Sequence, residues 1–334
     1  MLKLFQSFFG GDESRGRYPE SLVEMAIERT VDGTDSRLRL LPGYRKHLRG
    51  PVIHAIDHVV ALVDSLPAAL TAGRDDFNVD PRLATLFVSA AHMLEVLGHD
   101  RTLLEYLSSH SGSADRLTAL LLAERIEKNV LGMEQAGDQV RRDVAQLTVS
   151  FRNHRLVEVA DSEAETRRLL KRRAFDHLLS LALARIVEVR EERADIARQR
   201  DALRHKLAIL ERSGWSFEEG QDTPPEPARL QSELADIETE LERLGSDADV
   251  LKTHLELVAQ QLAQAEQLLQ RDMFHMRLDS MNVQRETQDA SGRDIELPEI
   301  LNAHGRRSVL LLVTVNPGEL PPRENLLATA HRYL

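Results

Sequence analysis

His54 and His58 stand one helical turn apart with Asp57 between them, a spacing that lets two imidazoles share zinc or another divalent ion. His47 or His92 could add a third ligand after folding, which would make this a metal-dependent enzyme. The helix lacks the glutamate that follows the first histidine in the zinc-protease motif. In a chain with 13 histidines, the default reading of the pair is therefore surface or packing histidines. No glycine-rich stretch has the spacing of a phosphate loop or a dinucleotide fingerprint, so no cofactor is expected. Gly10, Gly11 and Gly16 have no strand before them and no lysine after them.

A second group is basic. Arg141, Arg142, Arg152, His154 and Arg155 precede Arg167, Arg168, Lys171, Arg172 and Arg173. Brought together, Arg152, Arg155, Arg168, Lys171 and Arg172 would form a positive face suited to phosphates, an acidic partner or an anionic membrane. The competing reading pairs these cations with Asp143, Glu158, Asp161, Glu163 and Glu165, which lie as close in sequence. A third group is Trp215 with Phe217, flanked by Glu218, Glu219 and Asp222. Exposed aromatics anchor protein contacts, and these two would either do so or cap the last turn of the element that carries them.

The elements that must position these groups are dominated by two apolar ladders. Phe175, Leu179, Ala182, Ile186, Val189, Arg193, Ile196, Arg200, Leu203, Leu207 and Leu210 step by three and four, as do the leucines and their neighbours from Leu230 to Leu269. Such steps make the seam of a left-handed coiled coil. Gly220, Pro224, Pro225 and Pro227 break the helix between the ladders, so the pair should form an antiparallel hairpin. With Leu210 opposite Leu230, Leu203 meets Ile237, Ile196 meets Leu244 and Val189 meets Leu251. Arg200 then falls beside Glu240, and Arg193 falls near Gly245, Ser246, Asp247 and Ala248. Both arginines read as polar pins that fix the register of the seam, the competing reading being a role in binding an anionic partner.

Composition bounds the rest. The chain has 334 residues, 42% hydrophobic and 29% charged, enough for two domains and a sizeable core. A net charge of -11 and 4% aromatics argue against bulk nucleic-acid binding. The absence of cysteine excludes thiolate chemistry and fits a cytoplasmic location. No apolar run is long enough to span a membrane. Residues 1–9, which run from Met1 through Leu2, Leu4, Phe5 and Phe8 to Phe9 around a single Lys3, either dock on the body or lie on a membrane as a short anchor.

Along the chain, residues 19–30 read as a helix, Pro51 opens another to Leu66, and Asp80 with Pro81 starts a third that ends near Leu97. Residues 101–107 and 113–131 are expected to complete a helical half. Residues 145–151 and 155–160 alternate as a β-hairpin turning at Arg152, Asn153 and His154, and Ser162 with Glu165 forms a capping box for the first long helix. Residues 281–287 and 293–297 suggest a second hairpin, and residues 308–315 a strand covered on both faces. Residues 322–334 suggest a short closing helix.

The expected fold is mainly α within an α+β class. It comprises an N-terminal apolar segment (1–16), a helical domain (17–140), a small mixed β base (141–161 plus 280–334) and a long antiparallel coiled-coil hairpin (162–279) with a tip loop at 211–229. The expected function is a non-enzymatic scaffold or adaptor that meets a protein partner through the coiled-coil arm. Membrane-peripheral tethering and metal-dependent catalysis are the alternatives.

Overall fold

The computed structural model describes residues 18–110, 115–136, 139–213, 226–243, 249–286, 289–301 and 307–321. The protein is α+β, and its chain contacts divide it into two units. One holds Val59–Arg173 and the described residues from Glu266 onward; the other holds the described residues up to His58 together with Ala174–Ala265. Among the described residues, no helix is long and apolar enough to cross a membrane.

The first unit is organised by a six-stranded sheet. Its strands are β1 (Leu70–Thr71), β2 (Leu117–Ala136), β3 (Gln139–Ala160), β4 (Arg271–Leu278), β5 (Arg293–Leu301) and β6 (Arg307–Val315). They run in the order β3-β2-β6-β5-β4, all antiparallel, with β1 added parallel to β6. The base is thus larger than the small one expected. Strand β6 is apolar without alternation, and the reason is that both of its faces are covered. Val309, Leu311, Val313 and Val315 join one core, while Leu310 and Leu312 join another on the opposite face.

The first core is completed by three short helices, α3 (Pro81–Leu86), α4 (Ala90–Gly98) and α5 (Arg101–Ser109). The side chains of Asp80, Ser89 and Asp100 cap them. The single helix expected over 81–97 is therefore two, because Phe87 turns extended and Ser89 starts a new helix by accepting from the His92 amide at 3.1 Å. The opposite core takes Val63 and Leu66 near the end of α2 (Tyr44–Asp64) and Leu170 from the start of α6 (Glu163–Ser213). Pro51 lies inside α2 and does not open it, since the chain already turns helical after Gly43, whose φ is 80°.

Four expectations are corrected by strand pairing. The stretch expected as a helix over 113–131 is strand β2, since Leu117, Ala119, Leu121 and Ala123 fill one core while Leu120 fills the other. Burial between β3 and β6 overrides the helix propensity of its leucines, alanines and glutamates. The hairpin expected within 145–160 is one continuous strand, β3, and its partner is β2. Where a turn was expected, Asn153 occupies a β-bulge with φ 54°. Glu158 and Asp143, with φ 54° and 59°, sit at the other two register shifts of the same strand pair.

Residues 271–278, expected in the coiled coil, are β4, which takes β5 as its antiparallel partner. Residues 281–287 therefore do not pair with 293–297. The described part of that segment joins the two outer strands, with Val283 bridging Thr148 of β3 and Gln284 bridging Leu278 of β4. The Val149 amide donates to Asn282 at 2.9 Å and the Gln284 amide to Leu147 at 2.8 Å. The sheet is rolled so that its edge strands meet through this segment.

Within the second unit, α1 (Glu20–Gly33) buries Leu22, Val23, Ala26, Ile27 and Val31. Helix α6 is 51 residues long, and the Glu165 amide donates to the Ser162 hydroxyl at its start. The second ladder is not one helix. It is divided into α7 (Glu226–Arg243), α8 (Val250–Ala263) and α9 (Ala265–Leu268), with the Gln264 amide closing α8 on its own carbonyls. The expected closing helix at 322–334 lies outside the described residues.

The bulge at Asn153 yields a test. Asn is among the few residues that tolerate positive φ, and a β-branched side chain does not. Asn153→Gly is expected to leave stability nearly unchanged, whereas Asn153→Ile should cost about 1–2 kcal/mol in urea unfolding. Equal behaviour of the two variants would contradict the bulge.

Candidate functional site

The densest polar arrangement in the second unit surrounds Asp35, a carboxylate only 7% exposed at the N-terminus of the 3-10 turn Ser36–Leu40. One of its oxygens accepts from the backbone amide of Arg37 at 3.1 Å and from Arg37 Nε at 3.0 Å. The other accepts from Arg37 Nη2 at 2.8 Å, Arg190 Nη2 of α6 at 3.0 Å and the imidazole of His254 on α8 at 2.9 Å. The hydrogen bonds from Arg37 come first in holding the Asp35 carboxyl well below the ordinary carboxylate range, and His254 adds to them.

His254 is 2% exposed, and its chemistry follows from its two partners. An ionised carboxylate only accepts and a guanidinium only donates. Nδ1 therefore carries the proton toward Asp35, while Nε2 accepts from Arg190 Nε at 3.4 Å. That arrangement needs a neutral ring. Burial, with Arg190 and Arg37 as cationic neighbours, pushes His254 below the usual histidine range despite Asp35.

Arg190 also begins a cleft of about 450 Å³ in the same unit. Its walls carry Arg193, Arg200 and Arg204 from α6, Glu238, Leu241 and Glu242 from α7, and Thr253 and His254 from α8. Arg204 forms an ion pair with Glu238, so α6 and α7 lie side by side there, where the expected register puts Ala202 opposite Glu238. Arg193 and Arg200 are thus brought into one cleft. Arg200 binds Asp201 at 2.7 Å and not Glu240, which pairs with Arg243 of its own helix. The small residues expected around Arg193 at 245–248 lie outside the described residues.

The other residues singled out from the sequence do not converge on this site. His54 is exposed, and Asp57 accepts from the Tyr18 hydroxyl at 2.7 Å. Among the described residues, no group of three or more His, Cys, Asp or Glu is arranged to hold a metal. In the first unit Arg168 pairs with Glu165, Lys171 with Asp64 at 2.8 Å and Arg173 with Glu158 at 2.9 Å. Arg152 and Arg155 are exposed on β3, with Arg152 opposite Glu124, and Arg172 is half-buried on α6. Trp215, Phe217 and residues 1–9 lie outside the described residues.

No family model, curated protein or solved structure matches the chain. The site is therefore read from its own geometry.

Sequence reasoning found Arg193 and Arg200 because they interrupt an apolar ladder. It missed Asp35, Arg190 and His254, since Asp35 and His254 are 219 positions apart and neither belongs to a local motif. A weak signal existed in Asp35 as a capping residue after Gly33.

Two tests follow. Asp35→Asn removes the charge that balances Arg37 and Arg190, and should cost about 2–4 kcal/mol in urea unfolding of the helical unit. His254 supplies a pH test. Its folded-state value lies below that of the unfolded chain, so the unfolded chain takes up the proton first as pH falls below about 6.5. Stability from the neutral ring is full above that value and is lost as pH falls toward the folded-state value. Melting temperatures should fall between about pH 7.5 and about pH 5, and His254→Gln should remove part of the slope. A remaining part is assigned to His154, also held low by burial, and an unchanged slope in His254→Gln would overturn the assignment.

Proposed function

We propose that the chain is a non-enzymatic scaffold or adaptor that offers a two-helix coiled-coil arm to a protein partner. The arm is α6 beyond Val189 together with α7. The observation that carries this reading is how burial changes along α6. From Phe175 to Val189 the helix buries Phe175, Leu178, Leu179, Ala182, Ile186 and Val189. From Arg190 to Leu210 none of its residues is buried, and those half-covered are Arg193, Ile196, Ala197, Arg200, Leu203, Leu207, Ala208 and Leu210.

That stripe repeats every three or four residues and is narrow enough for a single partner helix. On α7, Leu230 and Leu241 are buried and Leu234 and Ile237 half-buried, which is the matching stripe. Most other positions of the arm face solvent, including Ile209, which is 53% exposed. A long helical surface maintained by so little core is well suited to contact with another protein.

A photo-crosslinking residue placed at Arg198 or Ile209, compared with one at the exposed Val88 of the sheet unit, tests the reading in cells that express the chain. The expected result is the same protein adduct from both arm positions and not from Val88. Absence of an adduct from the arm, or one indistinguishable set from all three positions, would overturn the proposal.

A further inference from the structure

We infer that two copies of the chain associate through the open edge of β2, pairing these strands antiparallel about a two-fold axis at Leu131. The contact belongs to the sheet unit and does not depend on the arm. Strand β6 accompanies β2 only from Leu117 to Glu124. On the far side of β3, the 282–284 segment reaches no further than Leu147. Past these points residues 130–136 and 139–146 pair with each other, and among the described residues no third strand joins them. At roughly 3.3 Å per residue, β2 continues for about 40 Å beyond Glu124. A ribbon of two strands is marginal in water by itself, whereas three or more strands sharing an apolar face are stable.

The two edges of this ribbon differ. Strand β3 carries the extra residue of the bulge near Asp143, whose φ is 59°, and exposes Arg141 and Arg142 beside it. A bulge and charges are what keep an edge from pairing. Strand β2 stays regular through the same stretch, since between Gly132 and Glu134 it has one residue where β3 has two. Its run of Asn129, Val130, Leu131, Gly132 and Met133 contains no charge and no proline. Alternate residues of that edge turn an N–H and a carbonyl outward, and an extended backbone is what answers them in order. Leu131 is 73% exposed and Met133 67%, on the face whose continuation at Val149 and Phe151 is buried in the core.

The edge is also complementary to itself. A two-fold axis normal to the sheet sets residue against residue symmetrically about one position. Centred on Leu131, it sets Leu131 against its own copy, Val130 against Gly132, Asn129 against Met133 and Lys128 against Glu134. The last match occurs twice, once from each copy. No other centre within residues 127–136 brings opposite charges together. Opposite charges that face each other across strands favour a pairing, and like charges oppose it. Any extended segment could answer the backbone, and the charge match is what selects a second copy. Two ribbons joined in this way make four strands and leave neither β2 edge open.

The chain has no cysteine, so a single one introduced into the full chain reports on its neighbours. Residues opposite each other in an antiparallel pair have Cα atoms about 4.5–5.5 Å apart, which suits a disulfide. Leu131→Cys is expected to oxidise to a covalent dimer under conditions that leave Val88→Cys, a still more exposed position, monomeric. Sedimentation velocity of the unaltered chain should show a monomer–dimer equilibrium that Lys128→Glu weakens about 10-fold. Lys128→Glu/Glu134→Lys should recover part of that loss, since Glu134→Lys leaves Arg141 of β3 opposite a like charge. A chain that remains monomeric at about 100 μM would overturn the inference, as would equal crosslinking from Leu131→Cys and Val88→Cys. A dimer of unchanged affinity in Lys128→Glu would do the same by placing self-association on another surface, such as the coiled-coil arm. So would a monomeric chain that dimerises only once residues 1–9 are deleted, which would give the edge to the chain's own apolar segment.

Discussion

The carboxylate of Asp35 sits out of water, and an ion so placed persists only while donors replace its lost hydration. Those donors come from its own turn, from α6 through Arg190 and from α8 through His254. Sliding any one of these elements would strip hydrogen bonds from a buried charge, so their mutual placement is fixed by electrostatics as much as by packing. The cluster also marks where α6 changes character. Val189, one residue earlier, is the last buried position on the described helix. Beyond it α6 lines the cleft with arginine and alanine.

The sheet unit obeys a different constraint, which is that an apolar strand must be covered on both faces. Short capped helices cover one face, while the adjoining parts of α2 and α6 cover the other. Across β6, Arg125 of β2 reaches Glu299 of β5, which is itself opposite Val309 of β6. Arg125 is 6% exposed and Glu299 2%, and the guanidinium lies 4.5 Å over the ring of Phe274. A paired, stacked arginine thus does for the sheet what the Asp35 cluster does for the helices. Each unit spends a buried charge on holding together elements remote in sequence.

Features decided locally were legible in the sequence. The strand at residues 308–315, the Asp80–Pro81 helix start, the Ser162–Glu165 cap and the long helix α6 each depend on residues within one element. Features decided by pairing were not. Leu117–Ala136 has the composition of a helix, and only its two strand neighbours make it a strand. Asn153 carries the same turn signal whether the chain reverses or merely bulges, and the partner strand decides which. At the candidate site, two of the arginines were visible as breaks in an apolar rhythm. The Asp35 contacts with Arg190 and His254 were not, because a hydrogen bond between residues 219 positions apart leaves no periodic trace.

The pairing of β2 with β6 places Leu117 beside Val315, residues separated by about 200 positions and by all of α6, α7 and α8. A ribosome therefore releases β2 and β3 long before the strand that shields them exists. In that interval the β2–β3 ribbon has only its own pairing and the short helices that precede it, while its second apolar face waits for a cover. The closure of the sheet thus joins the two flanks of the chain across everything between β3 and β4.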